Sequence, residues 1–464
     1  MSGEVVAPPT QGNPAEVAVG RTLDELRSAR LRFVPPLLLG LIMSFDSWDS
    51  IAIAYVMPSL VEVWKLDPVS MGWLMSSGYA GQFVGAILLG ILAERWGRMP
   101  VFLTATIVMS ALAIACAFTP NYHTLFVTRF VQGIMIGGAL PVSITYINEL
   151  APTKIRGFYF GVFQLLSMAG YAMASQSSRW IIPELGWRWL FGLGAVPVVL
   201  LPLVVLLLPE SPRWLARIGR IGAADRALVK LGAAPGSVSD GGGTVAVPAP
   251  VVPVEKTKVT ELFSSQFRKR TIILISLWFF TSFCNFGLTA WLPSIYRTVF
   301  HFPAAEALGY AAIGSTVFLV LAPASAYLMD WIGRRPLGLG GVGIATIASI
   351  ILFFYIPESV PENQKLLLVF LIVCAHMGTS ICVFVLWPYT AENYPTKVRA
   401  LGLGAASSTA RGASMLTPLA VGGILGNGGT INMVFGFFAA CTIIPTVLWI
   451  VATRETAKKS LDTL

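Results

Sequence analysis

Long apolar runs alternate with short polar breaks along this chain. A helix needs about 20 apolar residues to cross the hydrocarbon core of a bilayer. Runs of that length lie at residues 33–60, 70–93, 100–119, 122–148, 157–181, 186–208, 271–296, 305–329, 336–356, 364–390, 400–424 and 431–453, bounded by charges and turn residues. The pattern predicts an all-α membrane protein with twelve transmembrane helices. Most neighbouring runs are joined by short breaks. The exception contains the low-complexity stretch GAAPGSVSDGGGTVAVPAPVVPV and divides the first six runs from the last six. The expected organisation is a tail at 1–32, a six-helix bundle at 33–208, a central loop at 209–270, a second six-helix bundle at 271–453 and a tail at 454–464.

Composition agrees with lipid as the solvent. Charged residues make up 12% of the chain and hydrophobic ones 55%, where a soluble domain carries about 25% charged residues. Lysine and arginine stay on the cytoplasmic side of inserted helices. One set of breaks holds Arg95, Arg98, Lys154, Arg156, Arg334, Arg335, Lys397 and Arg399, besides the basic central loop; the other holds Lys65, Arg179, Arg188, Arg297 and Lys365. Both termini are therefore expected in the cytoplasm, and the net charge of +9 is an orientation signal that requires no nucleic-acid partner. The first 32 residues, with Pro8, Pro9, Pro14 and four arginines, lack the apolar core of a signal peptide and read as a mobile cytoplasmic tail. Five cysteines without C-x-x-C spacing and three scattered histidines give no metal site.

Charges inside the runs point to function, because a lone ion at that depth costs at least about 2.5 kcal/mol. Asp46 and Asp49 are three residues apart in the first run, so one helical face can aim both into a common cavity. Burial and mutual repulsion favour proton uptake by at least one of them; the alternative is a pair that merely locks the helix. Arg129 in the fourth run needs an acid, and Asp46 or Asp49 is the obvious partner. Arg411 has no acid in its own run, so its counter-charge is expected to be a substrate carboxylate, held by the planar guanidinium fork. Trp48, Tyr79, Gln82, Gln164, Asn285, Trp291, His376, Trp387 and Tyr389 lie at similar depth and are candidates to shape the substrate site, although most such aromatics pack or sit at the interface.

The chain also repeats itself. LAERWGRMP at 92–100 matches LMDWIGRRP at 328–336, and ELAPTKIRG at 149–157 matches ENYPTKVRA at 392–400. Six runs separate the copies, so the halves share one topology and are expected to be related by an axis along the membrane normal, with a substrate cavity between them. GILAERWGRMP resembles the G-x-L-x-D-x-x-G-R loop of the major facilitator superfamily, with Glu94 in place of the usual Asp. RFVQGIMIGG resembles its R-x-x-x-G motif, and PESPRWL resembles a motif of its sugar-porter and metabolite–proton symporter branches. FDSWD resembles the D-G-x-D element of aromatic-acid–proton symporters, with Ser47 replacing the glycine and Ala139 standing where a glutamate is frequent.

The resemblance implies the major facilitator fold, usually monomeric, in a bacterial inner membrane. It assigns Arg129 a part in proton transfer. It further implies a cytoplasmic network of Glu94, Arg98, Glu149, Arg156, Glu210, Arg213, Asp330, Arg334, Glu392 and Arg399 that closes the cytoplasmic side when the carrier faces outward. The expected function is proton-coupled symport of a small organic anion, an aromatic or heteroaromatic monocarboxylate such as benzoate or nicotinate, by alternating access. The proton gradient serves as energy source and no cofactor is expected. The rivals are a sugar or polyol porter, a proton-antiport exporter and a receptor that binds without transport. No P-loop supports an ATP-driven pump, and no nucleophile–base arrangement supports an enzyme.

Overall fold

The structure, a computed structural model, describes residues 14–26, 28–238, 259–357 and 360–457. Helix α1 (Pro14–Glu25) precedes a first group of membrane-length helices: α2 (Ala29–Trp64), α3 (Pro68–Trp96), α4 (Arg98–Ala117), α5 (Tyr122–Leu150) and α6 (Arg156–Leu185). The sixth span is broken into α7 (Trp187–Gly192), a 3-10 turn at Leu193–Ala195 and α8 (Pro197–Leu207), where Gly192, Gly194 and Pro197 interrupt the helix. Two short helices, α9 (Pro212–Arg217) and α10 (Ile221–Leu231), lead towards the second group: α11 (Arg268–Ser294), α12 (Ala304–Ile332), α13 (Arg334–Tyr355), α14 (Lys365–Glu392), α15 (Thr396–Gly426) and α16 (Ile431–Val451). A π turn at Ile295–Val299 extends α11.

Ten of these spans are long and apolar enough, by length and composition alone, to cross a membrane. The two that fall short, α6 and α15, occupy matching places: α6 packs on α2, and α15 packs on α11. They carry Gln164, Gln176 and Arg179 in one case and Ser407, Ser408, Thr409 and Arg411 in the other. Their lower hydropathy has a physical reason, since both face the opposite bundle rather than lipid alone. The pairings α3 with α15, α6 with α12 and α2 with α11 join the bundles.

Within the first bundle, α3 and α5 approach closely through glycine. A side chain at Gly133 or Gly137 would run into the main chain of Gly78 or Gln82 on α3, which accounts for the G-x-x-x-G spacing as packing.

Helix α1, the α9–α10 segment and residues 454–457 lie on one side of the molecule. Among the described residues, the hydrogen bonds and ion pairs between bundles all lie in the other half. Ser76 Oγ donates to the Met415 carbonyl (2.7 Å), Gln176 Nε2 to Thr316 Oγ1 (2.8 Å), and Tyr55 Oη meets Ser315 Oγ (3.2 Å). Glu62 pairs with Arg297 at 2.8 Å, and Gly72 and Gly422 let α3 and α15 touch main chain to main chain. Towards α1 and residues 454–457, Gly404 and Ser408 are exposed although they lie within a spanning helix. The bonds that join the bundles are thus concentrated on the side away from α1 and residues 454–457.

Residues 14–25 are not the mobile tail that sequence leads one to expect. Ala15, Val19 and Leu23 recur every four residues as an apolar stripe, and Val19 and Leu23 are fully buried as α1 packs on α9 and α10. Asp24 accepts from Thr153 N (2.6 Å) and Oγ1 (2.9 Å), clamping α1 to the turn between α5 and α6. Residues 1–13 and most of the low-complexity stretch lie outside the described residues.

Candidate functional site

Both aspartates sit near the middle of α2, but the structure gives them different surroundings. Asp49 is fully buried inside the first bundle, and neither carboxylate oxygen has a hydrogen-bond partner among the described residues. The break between α7 and α8 brings Gly194 so near that any side chain there would overlap the Asp49 carboxylate. Arg129 approaches from α5. Its Nη2 donates to the Asp49 main-chain carbonyl (2.9 Å) and its Nη1 to Gln132 Oε1 (2.7 Å), while the guanidinium stays within electrostatic range of the carboxylate. An arginine so placed can act on the carboxylate without being locked to it.

Asp46 faces the other way, towards the second bundle, with one carboxylate oxygen buried and unpartnered. Its electrostatic neighbours are Asp49 and, from across the interface, Arg411. Arg411 lies at the middle of α15 and makes no side-chain hydrogen bond among the described residues, with Asp46 and Tyr171 as the charge and dipole nearest to it. Tyr171 on α6 completes the group, beside Ser47 and within range of Tyr79. The separation follows from helix geometry, because a step of three residues rotates the side chain by about 60° short of a full turn. One face meets α5 and α7; the next is turned towards Arg411 of α15.

The second bundle adds a compact polar cluster. Asn285 Nδ2 on α11 donates to Ser380 Oγ (2.8 Å) and Thr379 Oγ1 (3.2 Å), and His376 Nε2 meets Thr289 Oγ1 at 2.9 Å. These groups largely satisfy one another.

On the side of α1 and residues 454–457, two matching networks tie helix ends together. In the first bundle Arg98, 1% exposed, binds Glu149 (2.9 Å) and Glu94 (2.8 Å), Arg217 binds Glu94 (2.8 Å), and Glu210 accepts from the Arg98 and Met99 main-chain N–H groups. In the second, Arg334 binds Glu392 (3.0 Å) and Asp330 (3.1 Å), and Glu455 accepts from Arg334 N (3.0 Å) and Arg335 N (2.9 Å). Each acid capping the start of a helix also meets the positive end of its dipole. The networks lie within the bundles, not between them.

Residues 44–464 match the sugar (and other) transporter family. The chain belongs to that family. This transporter is 29% identical over 442 residues to the niacin transporter NiaP of Acinetobacter baylyi, covering 92% of this chain and 95% of the relative. It is 28% identical over 422 residues to the 4-hydroxybenzoate transporter PcaK of the same species, covering 90% and 89%. Its fold matches the inward open conformation of the xylose transporter XylE from E. coli, with a TM-score of 0.72 and 20% identity, over 93% of this chain and 98% of that one. The twelve helices in two bundles are the major facilitator fold; the protein is a membrane transporter and not an enzyme.

Other expected site residues of this transporter have surroundings of their own. Trp48 donates to the Leu190 carbonyl (2.9 Å) and fixes α2 to α7. The Tyr389 hydroxyl accepts from Arg454 N (3.3 Å) near the C-terminal end of the chain, with its ring against Trp449. Trp387 is half exposed and packs on Trp278; Trp291 is buried with its indole N–H unpaired. Gln82 reaches Ser50 (3.4 Å), and Gln164 is half-buried on α6.

In the networks, Arg156 is exposed, Arg399 donates to the Tyr394 carbonyl (3.2 Å), and Arg213 lies beside Gly20 of α1. Arg156 and Arg213 are electrostatic neighbours of Asp24 on α1, and among the described residues none of the three arginines bridges to the network's acids. Glu455 went unnoticed in the sequence, yet RET at 454–456 follows the last span much as PES at 209–211 follows the sixth. Tyr171, Phe286 and Phe318 gave no signal, because aromatics in apolar spans look like packing. Ser47 is beside Tyr171, and Ala139 is buried in the apolar core of the first bundle.

Proposed function

We propose that this transporter carries a small organic anion together with protons, the anion being an aromatic or heteroaromatic monocarboxylate. The observation that carries this reading is Arg411, an arginine at mid-membrane that makes no side-chain hydrogen bond among the described residues and opposes Asp46 across the cavity. Its fork matches a carboxylate with two charge-assisted hydrogen bonds. Asp46 and the substrate carboxylate compete for it. Protonation of Asp46 removes that competition and leaves Arg411 free to bind substrate.

Asp49 and Arg129 form the second coupling element. A buried carboxylic acid that loses its proton leaves a charge that Arg129 can stabilise, so deprotonation draws the guanidinium away from Gln132 and pulls on α5. Both termini face the cytoplasm in this reading, and the bonds joining the bundles on the opposite side fit the inward-facing state. The protein acts as a monomer in a bacterial inner membrane, with the proton gradient as its sole energy source. Similarity to carriers of niacin and 4-hydroxybenzoate supports the substrate class.

The likeness to a xylose transporter and the Asn285–Thr379–Ser380 cluster favour a sugar as the second reading. Uptake into proteoliposomes of labelled benzoate, 4-hydroxybenzoate, nicotinate, a dicarboxylate and glucose, under an inward proton gradient with and without protonophore, separates the two. Protonophore-sensitive accumulation of an aromatic acid is expected. Accumulation of glucose alone overturns the proposal.

A further inference from the structure

Two pairs of rings each span the two bundles, and one of them, through Tyr171, lies beside Arg411. Tyr79 of α3 meets Phe286 of α11 with centroids 6.0 Å apart and planes at 59°. Tyr171 of α6 meets Phe318 of α12 at 6.2 Å and 72°. Both spacings fall within the range of about 4.5–7 Å in which aromatic edges and faces attract. We propose that these two pairs form a slot that selects the flat ring of the substrate, with Tyr171 and Phe318 as the nearer wall to its carboxylate.

Three observations support the slot. First, all four rings are only half-buried, whereas packing aromatics such as Tyr55 and Trp291 are about 2% exposed. They border open space. Second, Phe318 is held in place from behind by Phe384 at 4.9 Å and by the His376 ring, nearly parallel at 18° and 6.5 Å. A wall so buttressed keeps its orientation when a ligand enters. Third, the Tyr171 hydroxyl is within electrostatic range of both Arg411 and Asp46, so the slot adjoins the carboxylate anchor. An aromatic acid presents these groups in the same order, a carboxylate joined directly to a ring.

The slot gives His376 and Phe384 a positioning role, since they touch Phe318 rather than the substrate space. It also separates recognition into two parts. Arg411 reads charge, and the rings read aromaticity. Because each pair has one member on either bundle, a substrate ring lodged between them draws the bundles together, which couples ring recognition to closure.

This inference rests on the proposal that the substrate is a carboxylate, and one comparison tests it apart from that proposal. Benzoate and cyclohexanecarboxylate carry the same charge on rings of similar size, but only benzoate offers a π face. The wild-type protein in proteoliposomes is expected to half-saturate with benzoate at about tenfold lower concentration. Phe318→Leu and Phe286→Leu are each expected to reduce that ratio towards one while cyclohexanecarboxylate uptake persists, and Phe318→Tyr to preserve it. A wild-type ratio near one, or a ratio unchanged in both leucine variants, overturns the slot. Uptake of neither acid by the wild type overturns the carboxylate reading itself, whatever the variants do. The wild-type comparison needs no substitution, so it stands even where a leucine variant does not fold.

Discussion

Asp46 and Arg411 oppose one another across the bundle interface, each near the midpoint of its helix, α2 or α15. Among the described residues, Asp46 and Tyr171 are the groups whose charge and dipole act on Arg411. The arrangement ties the charge state of one bundle to the freedom of an arginine on the other.

Arg411→Gln is expected to raise the half-saturating concentration of an aromatic carboxylate about 100-fold, the equivalent of losing two charge-assisted hydrogen bonds. Arg411→Lys keeps the charge but not the fork and is expected to cost about tenfold. Radioligand uptake at several substrate concentrations checks both. Equal half-saturation in wild type and Arg411→Gln removes the anchor assignment.

Asp49→Asn keeps the size of the side chain while abolishing its titration. Counterflow exchange of labelled for unlabelled substrate is expected to continue, because no net proton movement is needed. Accumulation against a gradient is expected to fall to the level seen with a protonophore. Retained gradient-driven accumulation in this variant would assign coupling to another group.

Arg98 and Asp330 occupy the two networks but differ in burial: the Arg98 side chain is 1% exposed and that of Asp330 80%. Arg98→Gln leaves Glu149 without its buried partner and is expected to destabilise the protein by about 3 kcal/mol. Asp330→Asn removes a solvated partner and is expected to cost less than about 1 kcal/mol. Thermal unfolding in detergent, followed by tryptophan fluorescence, distinguishes these outcomes. Comparable losses would contradict the difference in burial.

Glu455 lies beyond the last span, where burial pushes its carboxyl up but main-chain N–H donors from Ala457, Arg334, Arg335 and Thr456 outweigh it and hold the group below the usual glutamate range. A carboxylate depressed in the folded state contributes stability that is present above its unfolded pKa and is lost as pH falls through the lower folded value. Attachment of residues 454–457 to the start of α13 is therefore expected to persist at neutral pH and to release on acidification. Hydrogen exchange of the Arg334 and Arg335 amides as a function of pH measures this, and Glu455→Gln is expected to show faster exchange already at pH 7.

Twelve spans, the internal repeat and the charged positions were legible in the sequence because each leaves a signature in hydropathy or spacing. Arg129 and Arg411 stood out for the same reason: a cation in an apolar run has few explanations. What pairs with what did not follow. Asp46 and Asp49 share a turn of helix, yet the break at Gly194 and the crossing of α15, both long-range events, decide that one faces the inside of a bundle and the other the cavity. Tyr171 and Phe318 differ from packing aromatics only by what stands opposite them. Glu455 was readable in principle, since its role repeats that of Glu210, but its flanking residues have diverged.

The two ends of the described chain are fastened to different bodies. Asp24 and the buried stripe of α1 hold the N-terminal end to the first bundle, while Glu455 holds the C-terminal end to the second. Any rocking of one bundle against the other must therefore change the distance between the neighbourhoods of Pro14 and Ala457. The chain carries its own pair of calipers, and a fluorophore at each tip would read the transport cycle as a change in energy transfer.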